Sequence, residues 1–230
     1  MLSQFPVVIA AAGIGRRMNS ELPKQYLTIL DRTVIEHTIM RLNQHPRISD
    51  IVVVLHPNDT HFNALPVADL AHVFTVQGGD ERVDSVLAGL HWLSNHNGNQ
   101  GWVLVHDAAR PCVPLSDLSK LVALADQQAR ECAGGILASR VRDTMKRGEH
   151  TISATEPREH LWHALTPQFF ETPLLIDAIT KAQNDGALTT DEASAMEHCG
   201  YPVALVEGSG KNIKITTPDD LKLAEFYLSN

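Results

Sequence analysis

The chain has 230 residues, 43% of them hydrophobic, which fits one large α/β domain or two small ones around a substantial core. Its formal net charge of −8 argues against a protein that binds nucleic acid or a membrane surface. No apolar stretch approaches the length of a membrane span, and no segment near Met1 resembles a signal peptide. The three cysteines are widely spaced and form no Cys-x-x-Cys pair, so we expect neither a disulfide framework nor a zinc site. We accordingly expect the protein to work in the reducing cytoplasm.

Strand and helix patterns alternate along the chain. The predicted strands are short apolar runs, most of them rich in β-branched residues: 7–12, 51–55, 73–76, 102–105, 135–138, 203–206 and 213–215. Residues 83–93 and 118–125 carry apolar side chains at helical spacing. Thr217 and Pro218 predict a helix that begins there and runs to about residue 228.

This alternation predicts an α/β fold: a single Rossmann-like domain over residues 1–230, with a mostly parallel, twisted sheet between helix layers. Residues 140–160 interrupt it with about twenty polar residues. Arg147, Gly148 and Glu149 have the chemistry of a hairpin turn. A surface excursion is one reading. The other is a protruding β-arm for dimerisation, because long polar segments in compact domains are uncommon without a function.

The segment that follows the first strand predicts a phosphate site. Small residues, Ala10 to Gly13, let the backbone approach a polyanion, and Arg17 and Lys24 supply cations. A tight strand-to-helix turn is the alternative. A dinucleotide fingerprint would need a third glycine where the chain has Met18, and the Gly-Lys-Ser/Thr of a Walker loop is absent.

Three further positions suggest chemistry. Asp107 follows a predicted buried strand, where a single carboxylate with substrate phosphates would hold Mg²⁺, or it caps the next turn. A helix is predicted to begin near Gly79, Asp80 and Ser85. These residues could bind a ribose or the edge of a base, or they could form an ordinary N-cap. Lys214 lies in a predicted strand, where lysines usually face solvent. The twelve histidines show no metal-ligand spacing.

Seven motifs occur in order over almost the whole chain and together resemble the 2-C-methyl-D-erythritol 4-phosphate cytidylyltransferase family. They are an Ala-Ala-Gly-x-Gly-x-Arg-Met opening with a following Pro-Lys-Gln (11–25), then 79–86, 105–111, 141–146, 162–168, 190–193 and 212–214. The opening motif marks only the wider nucleotidyltransferase superfamily, whereas the later ones are specific. One departure is Ala10, where the family usually has proline.

The resemblance implies transfer of CMP from CTP to 2-C-methyl-D-erythritol 4-phosphate by a homodimer whose arms are exchanged, with Mg²⁺ as cofactor. The nucleotide-binding residues it implies are Ala11, Ala12, Gly13, Gly79, Asp80, Ser85 and Ala108. The catalytic residues are Arg17, Lys24 and Lys214, and the metal ligand is Asp107. The acceptor-binding residues are Arg110, Thr144, Arg158 and Thr166.

Three alternatives stay open at this point. A cytidylyltransferase for another polyol phosphate, such as ribitol 5-phosphate, would share the CTP motifs. The interpretation as an NAD(P) oxidoreductase is supported only by Gly13 and Gly15. A nucleotide sensor without activity would have little use for Lys24, Asp107 and Lys214 together.

Overall fold

Strands and helices alternate along most of the chain in the computed structural model, which describes residues 3–13, 22–96, 101–127 and 131–230. The strands are β1 (Phe5–Ala11), β2 (Thr28–Ile29), β3 (Arg32–Thr33), β4 (Ile48–Leu55), β5 (Val73–Gln77), β6 (Trp102–Asp107), β7 (Gly134–Arg140), β8 (Met145–Gly148), β9 (Ile152–Glu156), β10 (Trp162–Glu171) and β11 (Val203–Glu207). The helices are α1 (Val34–Asn43), α2 (Arg82–His96), α3 (Leu115–Val122), α4 (Thr172–Asn184), α5 (Glu192–His198) and α6 (Pro218–Ser229).

Seven strands form one sheet in the order β11-β7-β10-β6-β1-β4-β5. All neighbours pair in parallel except β10, which is antiparallel to both β6 and β7. The chain builds from β1 toward β4 and β5, then crosses to the other side of β1 to form β6. Ala10 of β1 pairs with Asp107 of β6. This reversal opens a crevice at the carboxyl ends of β1 and β6, the usual ligand position in such sheets.

Each face of the sheet is covered by helices over its own hydrophobic core. One core contains Ile35, Ile39 and Leu42 of α1 and apolar residues of α3, whereas the other contains apolar residues of α2, α4 and α5. Gly89 shows how closely α2 packs on the sheet, because a Cβ there would lie 2.7 Å from a methyl carbon of Val8. The predicted α/β fold, with a mostly parallel sheet between helix layers, is confirmed.

Residues 145–156 of the polar segment 140–160 form a hairpin. Its turn lies at 149–151, so Arg147 and Gly148, which were predicted in the turn, belong to β8. β8 and β9 pair only with each other, in a two-stranded sheet of their own. Most of their side chains are exposed, including Ile152. We call residues 140–160 the arm.

Several elements differ from the sequence prediction, which contained no helix at the positions of α1, α4 and α5. Residues 213–215 do not form a strand; the backbone N–H of Ile215 donates to the carbonyl of Ala109, but no ladder extends beyond it. β10 was not predicted, because His163 and Ala164 near its start are exposed and Pro167 lies within it. The predicted C-terminal helix is confirmed as α6, with Thr217 and Asp220 in a capping box. Among the described helices, none has the length and apolar character needed to cross a bilayer.

Candidate active site

A cleft with a volume of about 170 Å³ lies in the crevice between the ends of β1 and β6, where ligands usually bind in such sheets. Five separate segments line it: the end of β1 with the loop after it, Lys24 with Gln25, the turn into α2, the end of β6 with the turn after it, and the segment before α6. Its lining residues are Ala10, Ala11, Ala12, Gly13, Lys24, Gln25, Gly79, Asp80, Glu81, Arg82, Ser85, Asp107, Ala108, Ala109 and Lys214. The structure therefore brings together every described residue that the sequence analysis assigned to the nucleotide, together with Asp107, assigned to the metal, and Lys24 and Lys214, assigned to catalysis.

The first wall of the cleft is the loop after β1. Gln25 holds the end of that strand, because its Nε2 donates to the carbonyl oxygen of Ala11 at 2.8 Å. Next to it, Lys24 Nζ donates to the carbonyl oxygen of Ile215 at 2.9 Å. This contact links the N-terminal cation to the C-terminal segment that carries Lys214. Arg17 lies outside the described residues.

The second wall is the turn that leads into α2. Ser85 organises it, because its buried hydroxyl accepts from the N–H of Gly79 at 3.2 Å and donates to the carbonyl of Glu81 at 3.1 Å. A Cβ on Gly78 would lie 2.6 Å from the Ser85 oxygen and 2.9 Å from Cβ of Ala12, so this turn and the loop after β1 are in close contact. The arrangement leaves Gly79 and Asp80 exposed at the rim.

Asp107 is the charged centre of the cleft floor and is only 6% exposed. Its Oδ1 accepts from Arg82 Nε at 3.1 Å, and its Oδ2 lies 3.3 Å from Arg110 Nε and 2.9 Å from Lys214 Nζ. Burial alone would raise the pKa of this carboxyl group. The positive charges of Arg82, Lys214 and Arg110 outweigh burial and hold the pKa far below its usual range. Asp107 is therefore ionised and surrounded by cations.

Beneath the floor, buried polar groups fix the turn that carries Asp107. The Asp107 N–H donates to Thr166 Oγ1 at 3.0 Å, and Thr166 Oγ1 lies 2.9 Å from His106 Nδ1. His106 Nε2 lies 3.1 Å from the carbonyl oxygen of Arg110, which only accepts, so Nε2 carries the proton. Burial lowers the pKa of His106 to about 4, which keeps the ring neutral.

Arg110 and Thr166 lie beneath the cleft rather than among its lining residues. Arg110 is 8% exposed, and its Nη1 donates to the carbonyl of Asn212 at 2.8 Å. The Asn212 amide in turn donates to the carbonyl of Thr166 at 2.8 Å. These bonds connect β6, β10 and the segment before Lys214 into one buried network.

The segment with Lys214 is held from below by α6. Ile215 is fully buried and packs in a small core with Ala109, Cys112 and Ala224. Lys214, the neighbour of Ile215, is half-buried and lines the cleft. A lysine on a segment without a strand partner thus reaches the site through the packing of its neighbour.

The remaining two predicted residues lie elsewhere. Thr144 and Arg158 belong to the arm, are exposed and do not line the cleft. They lie together on a second, shallow surface formed by the arm, and the guanidinium of Arg158 donates to the carbonyl of Arg142.

Sequence reasoning gave no role to Arg82, Glu192 or Gln25. Arg82 and Glu192 stood in quoted motifs, but their contact joins residues far apart in the chain. The two terminal nitrogens of Arg82 donate to the two carboxylate oxygens of Glu192 at 2.6 and 3.2 Å. The described residues contain no group of three or more His, Cys, Asp or Glu side chains placed to hold a metal ion.

Comparison with known proteins gives one consistent result. The family model for 2-C-methyl-D-erythritol 4-phosphate cytidylyltransferase (IspD) matches residues 5–230. A protein of that name from Photorhabdus laumondii is 56% identical over 227 residues, covering 96% of this chain and 93% of its own length.

Solved structures agree. A crystal structure of a 4-diphosphocytidyl-2C-methyl-D-erythritol synthase superposes with a TM-score of 0.83 at 35% identity, covering 99% of this chain and 100% of its own. The Francisella tularensis 2-C-methyl-D-erythritol 4-phosphate cytidylyltransferase gives a TM-score of 0.80 at 34% identity, covering 98% and 100%. With its cleft at the sheet crossover and a match over nearly its full length, this chain belongs to the 2-C-methyl-D-erythritol 4-phosphate cytidylyltransferase family.

Proposed function

We propose that the cleft between β1 and β6 is where this chain transfers CMP from CTP to 2-C-methyl-D-erythritol 4-phosphate, giving 4-diphosphocytidyl-2-C-methyl-D-erythritol and pyrophosphate. The activity itself follows from family membership and belongs to the non-mevalonate route to isoprenoids. The observation that carries the assignment of the site is the convergence of the β1 loop, the turn into α2, Asp107 and Lys214 on one cleft.

The nucleotide is held mostly by small residues. The backbone of Ala11, Ala12 and Gly13 cradles the phosphates, because the absence of large side chains lets N–H groups approach a polyanion. Gly79 and Asp80, exposed at the rim, contact the cytosine together with Ser85, and Ala108 lies beside the ribose. Ser85 also fixes the shape of this turn through its two hydrogen bonds.

The cations hold the reacting phosphates. Lys24 and Lys214 both line the cleft, and Lys24 contacts the segment that carries Lys214. We assign the triphosphate to Lys24 and Arg17, and the α-phosphate with the acceptor phosphate to Lys214. Fixed cations stabilise the charge that develops on a five-coordinate phosphorus, without reorganisation during the reaction.

The donor set at the floor fits Mg²⁺. Asp107 offers one ionised carboxylate toward the cleft, and Mg²⁺ commonly takes one or two carboxylates and completes its shell with phosphate oxygens and water. Asp107 would hold the ion, which neutralises phosphate charge when bound. Lys214, the most exposed of the three cations on Asp107, is then available to contact phosphate.

The chemistry needs no general base. An oxygen of the acceptor phosphate, already ionised at neutral pH, forms a bond to the α-phosphorus of CTP. The bond between the α-phosphorus and the oxygen that bridges the α- and β-phosphates breaks, and pyrophosphate leaves with the electron pair of that bond. No histidine is among the described lining residues, and His106 is neutral beneath the floor.

We assign the acceptor to Arg110 and Thr166 near the cleft and to Thr144 and Arg158 of the arm of a second subunit. The arm supports this assignment, because an isolated two-stranded hairpin is marginally stable and its exposed Ile152 is suited to packing against a partner. We accordingly propose a homodimer that exchanges arms. Its location in the cytoplasm is a further proposal, which rests on the widely spaced cysteines.

Pyrophosphate release tests the proposal. The purified protein with Mg²⁺ should release pyrophosphate from CTP, but not from ATP, GTP or UTP, and only when 2-C-methyl-D-erythritol 4-phosphate is present. Ribitol 5-phosphate is the matched acceptor control. Faster release with ribitol 5-phosphate would contradict the acceptor, and equal rates with all four nucleotides would contradict the role of the cleft in reading cytosine.

A further inference from the structure

Arg82 joins two buried carboxylates at the cleft. Its Nη1 and Nη2 donate to Glu192 at 2.6 and 3.2 Å, and its Nε donates to Asp107 Oδ1 at 3.1 Å. The side chain of Glu192 is 2% exposed and that of Asp107 is 8% exposed. A buried carboxylate is costly without a cation, and Arg82 supplies one to both.

Glu192 is held at a fixed position by the sheet. It is the first residue of α5, and Asp191 caps that helix by accepting from the N–H of Ser194 at 3.0 Å. Gln168 of β10 ties this cap to the sheet, because its amide donates to Asp191 at 2.8 Å and accepts from the N–H of Ala193 at 2.8 Å. The N-terminal end of α5 is therefore held rigidly, and it fixes the position at which Glu192 binds Arg82.

The two oxygens of Asp107 have different partners. Oδ1 contacts Arg82, whereas Oδ2 lies near both Arg110 and Lys214. Arg82 also lines the cleft, where an arginine with free terminal nitrogens would be drawn to the triphosphate. Glu192 occupies both terminal nitrogens, so Arg82 stays on Oδ1.

We infer that Glu192 is a positioning residue for the transfer reaction: through Arg82 it fixes the Asp107 carboxylate and keeps the arginine away from the nucleotide phosphates. The inference rests on the proposed function, since Asp107 must serve the reaction for its orientation to matter. It predicts that the loss of Glu192 lowers turnover without weakening CTP binding.

The test is Glu192→Gln, which keeps the shape of the side chain and removes its charge. We expect kcat to fall about 10- to 100-fold, as for outer residues that orient a ligand, while the Kd of CTP, measured by calorimetry, stays the same or decreases. Glu36→Gln is the matched control, because Glu36 is a buried carboxylate in the capping box of α1. It should lower the unfolding temperature and leave kcat unchanged.

A double variant separates positioning from general stability. If Glu192 acts through Arg82, then Arg82→Gln and the double variant Arg82→Gln/Glu192→Gln should have the same kcat per folded molecule. The double variant also removes the unpaired buried charge that Arg82→Gln leaves, so it should fold at least as well.

Two results would overturn the inference while the proposed function stands: a kcat of Glu192→Gln within twofold of an active wild type, or effects of the two substitutions that multiply. A wild type that releases no pyrophosphate in the same assay would overturn the proposed function, and the inference with it.

Discussion

The cleft and the arm are both rich in charge, but they hold their charges differently. At the cleft, Asp107 and Glu192 are almost completely buried, and each meets opposite charge from a distant part of the chain. On the arm, Arg147 pairs with Glu156 across the hairpin, and both remain in contact with water. Burial makes the cleft network rigid and intolerant of deletion. The arm has local pairs of small energetic value, and in the proposed homodimer a second subunit would fix its position.

The largest effect on the cleft is expected from Asp107→Asn, which leaves Arg82, Arg110 and Lys214 around a neutral side chain. We expect kcat to fall by at least about 100-fold, because the charge that orders the floor and would hold Mg²⁺ is lost. Pyrophosphate release measures it, and the circular dichroism spectrum reports the fold. Asp126→Asn is the control, since Asp126 pairs with Arg47 away from the cleft. Activity near that of the wild type with an unchanged spectrum would contradict the role of Asp107.

The next effect concerns the cations of the β1 loop. Lys24→Ala and Arg17→Ala should each lower kcat/KM by on the order of 100-fold, because each removes charge stabilisation that is strongest in the transition state. Steady-state kinetics with varied CTP measures it. Lys222→Ala is the matched control on the exposed side of α6. A raised KM for CTP with kcat unchanged would show that the two cations only bind the nucleotide.

A smaller, more selective effect is expected from the arm. Arg158→Ala should raise KM for the acceptor about tenfold and leave KM for CTP almost unchanged, because the arm is assigned to the acceptor alone. Arg147→Ala is the matched control, since Arg147 lies on the same hairpin and pairs with Glu156. Equal increases in both KM values would indicate a general loss of structure.

Mixed dimers test whether the arm completes the cleft of its own subunit or that of the other subunit. In a heterodimer of Arg158→Ala and Lys24→Ala chains, an arm that acts across the interface puts both lesions in one site and leaves the other site intact. An arm that acts within its own chain leaves one lesion in each site. At acceptor concentrations well below KM, the mixture should therefore be more active than either variant alone. No recovery after verified subunit exchange would count against exchanged arms.

The smallest effect is on stability rather than on rate. Because His106 has a folded-state pKa of about 4, the unfolded chain binds more protons than the folded chain between that value and 6.5. The contribution of His106 to the free energy of unfolding therefore falls by about 1 kcal/mol as the pH drops from about 7.5 to 5.5. Urea unfolding of wild type and His106→Gln at both pH values measures it. His150→Gln, on the exposed arm, is the control. Identical pH dependence in wild type and His106→Gln would contradict the prediction.

Much of the fold was predictable because it depends on local patterns. Residues 51–55 and 102–105 are apolar runs whose burial on both faces of a parallel sheet follows from composition. Thr217 and Pro218 mark the start of α6 by capping chemistry within a few residues. The hairpin of the arm was predicted from its turn chemistry, but the turn itself lies at 149–151 because Arg147 and Gly148 pair within β8.

The parts that sequence missed depend on contacts between distant segments. The predicted strand at 213–215 was wrong, because among the described residues no neighbouring strand completes a ladder with this segment. The pairing of Arg82 with Glu192 joins two motifs that looked separate. The positions of Thr144 and Arg158 away from the cleft follow from the path of the arm, which no local pattern specifies.

The anchoring of Lys214 by α6 has a consequence for proteolysis. The seven-stranded sheet is complete at Glu207, so a chain trimmed after that residue keeps every strand and both main cores. It loses Lys214 and the packing of Ile215 against Ala109 and Ala224. Such a fragment would retain all residues of the sheet, yet it would lack the cation that we assign to the reacting phosphates and the carbonyl of Asn212 that holds Arg110. For this protein, an intact C-terminus is a better measure of a competent preparation than folded content.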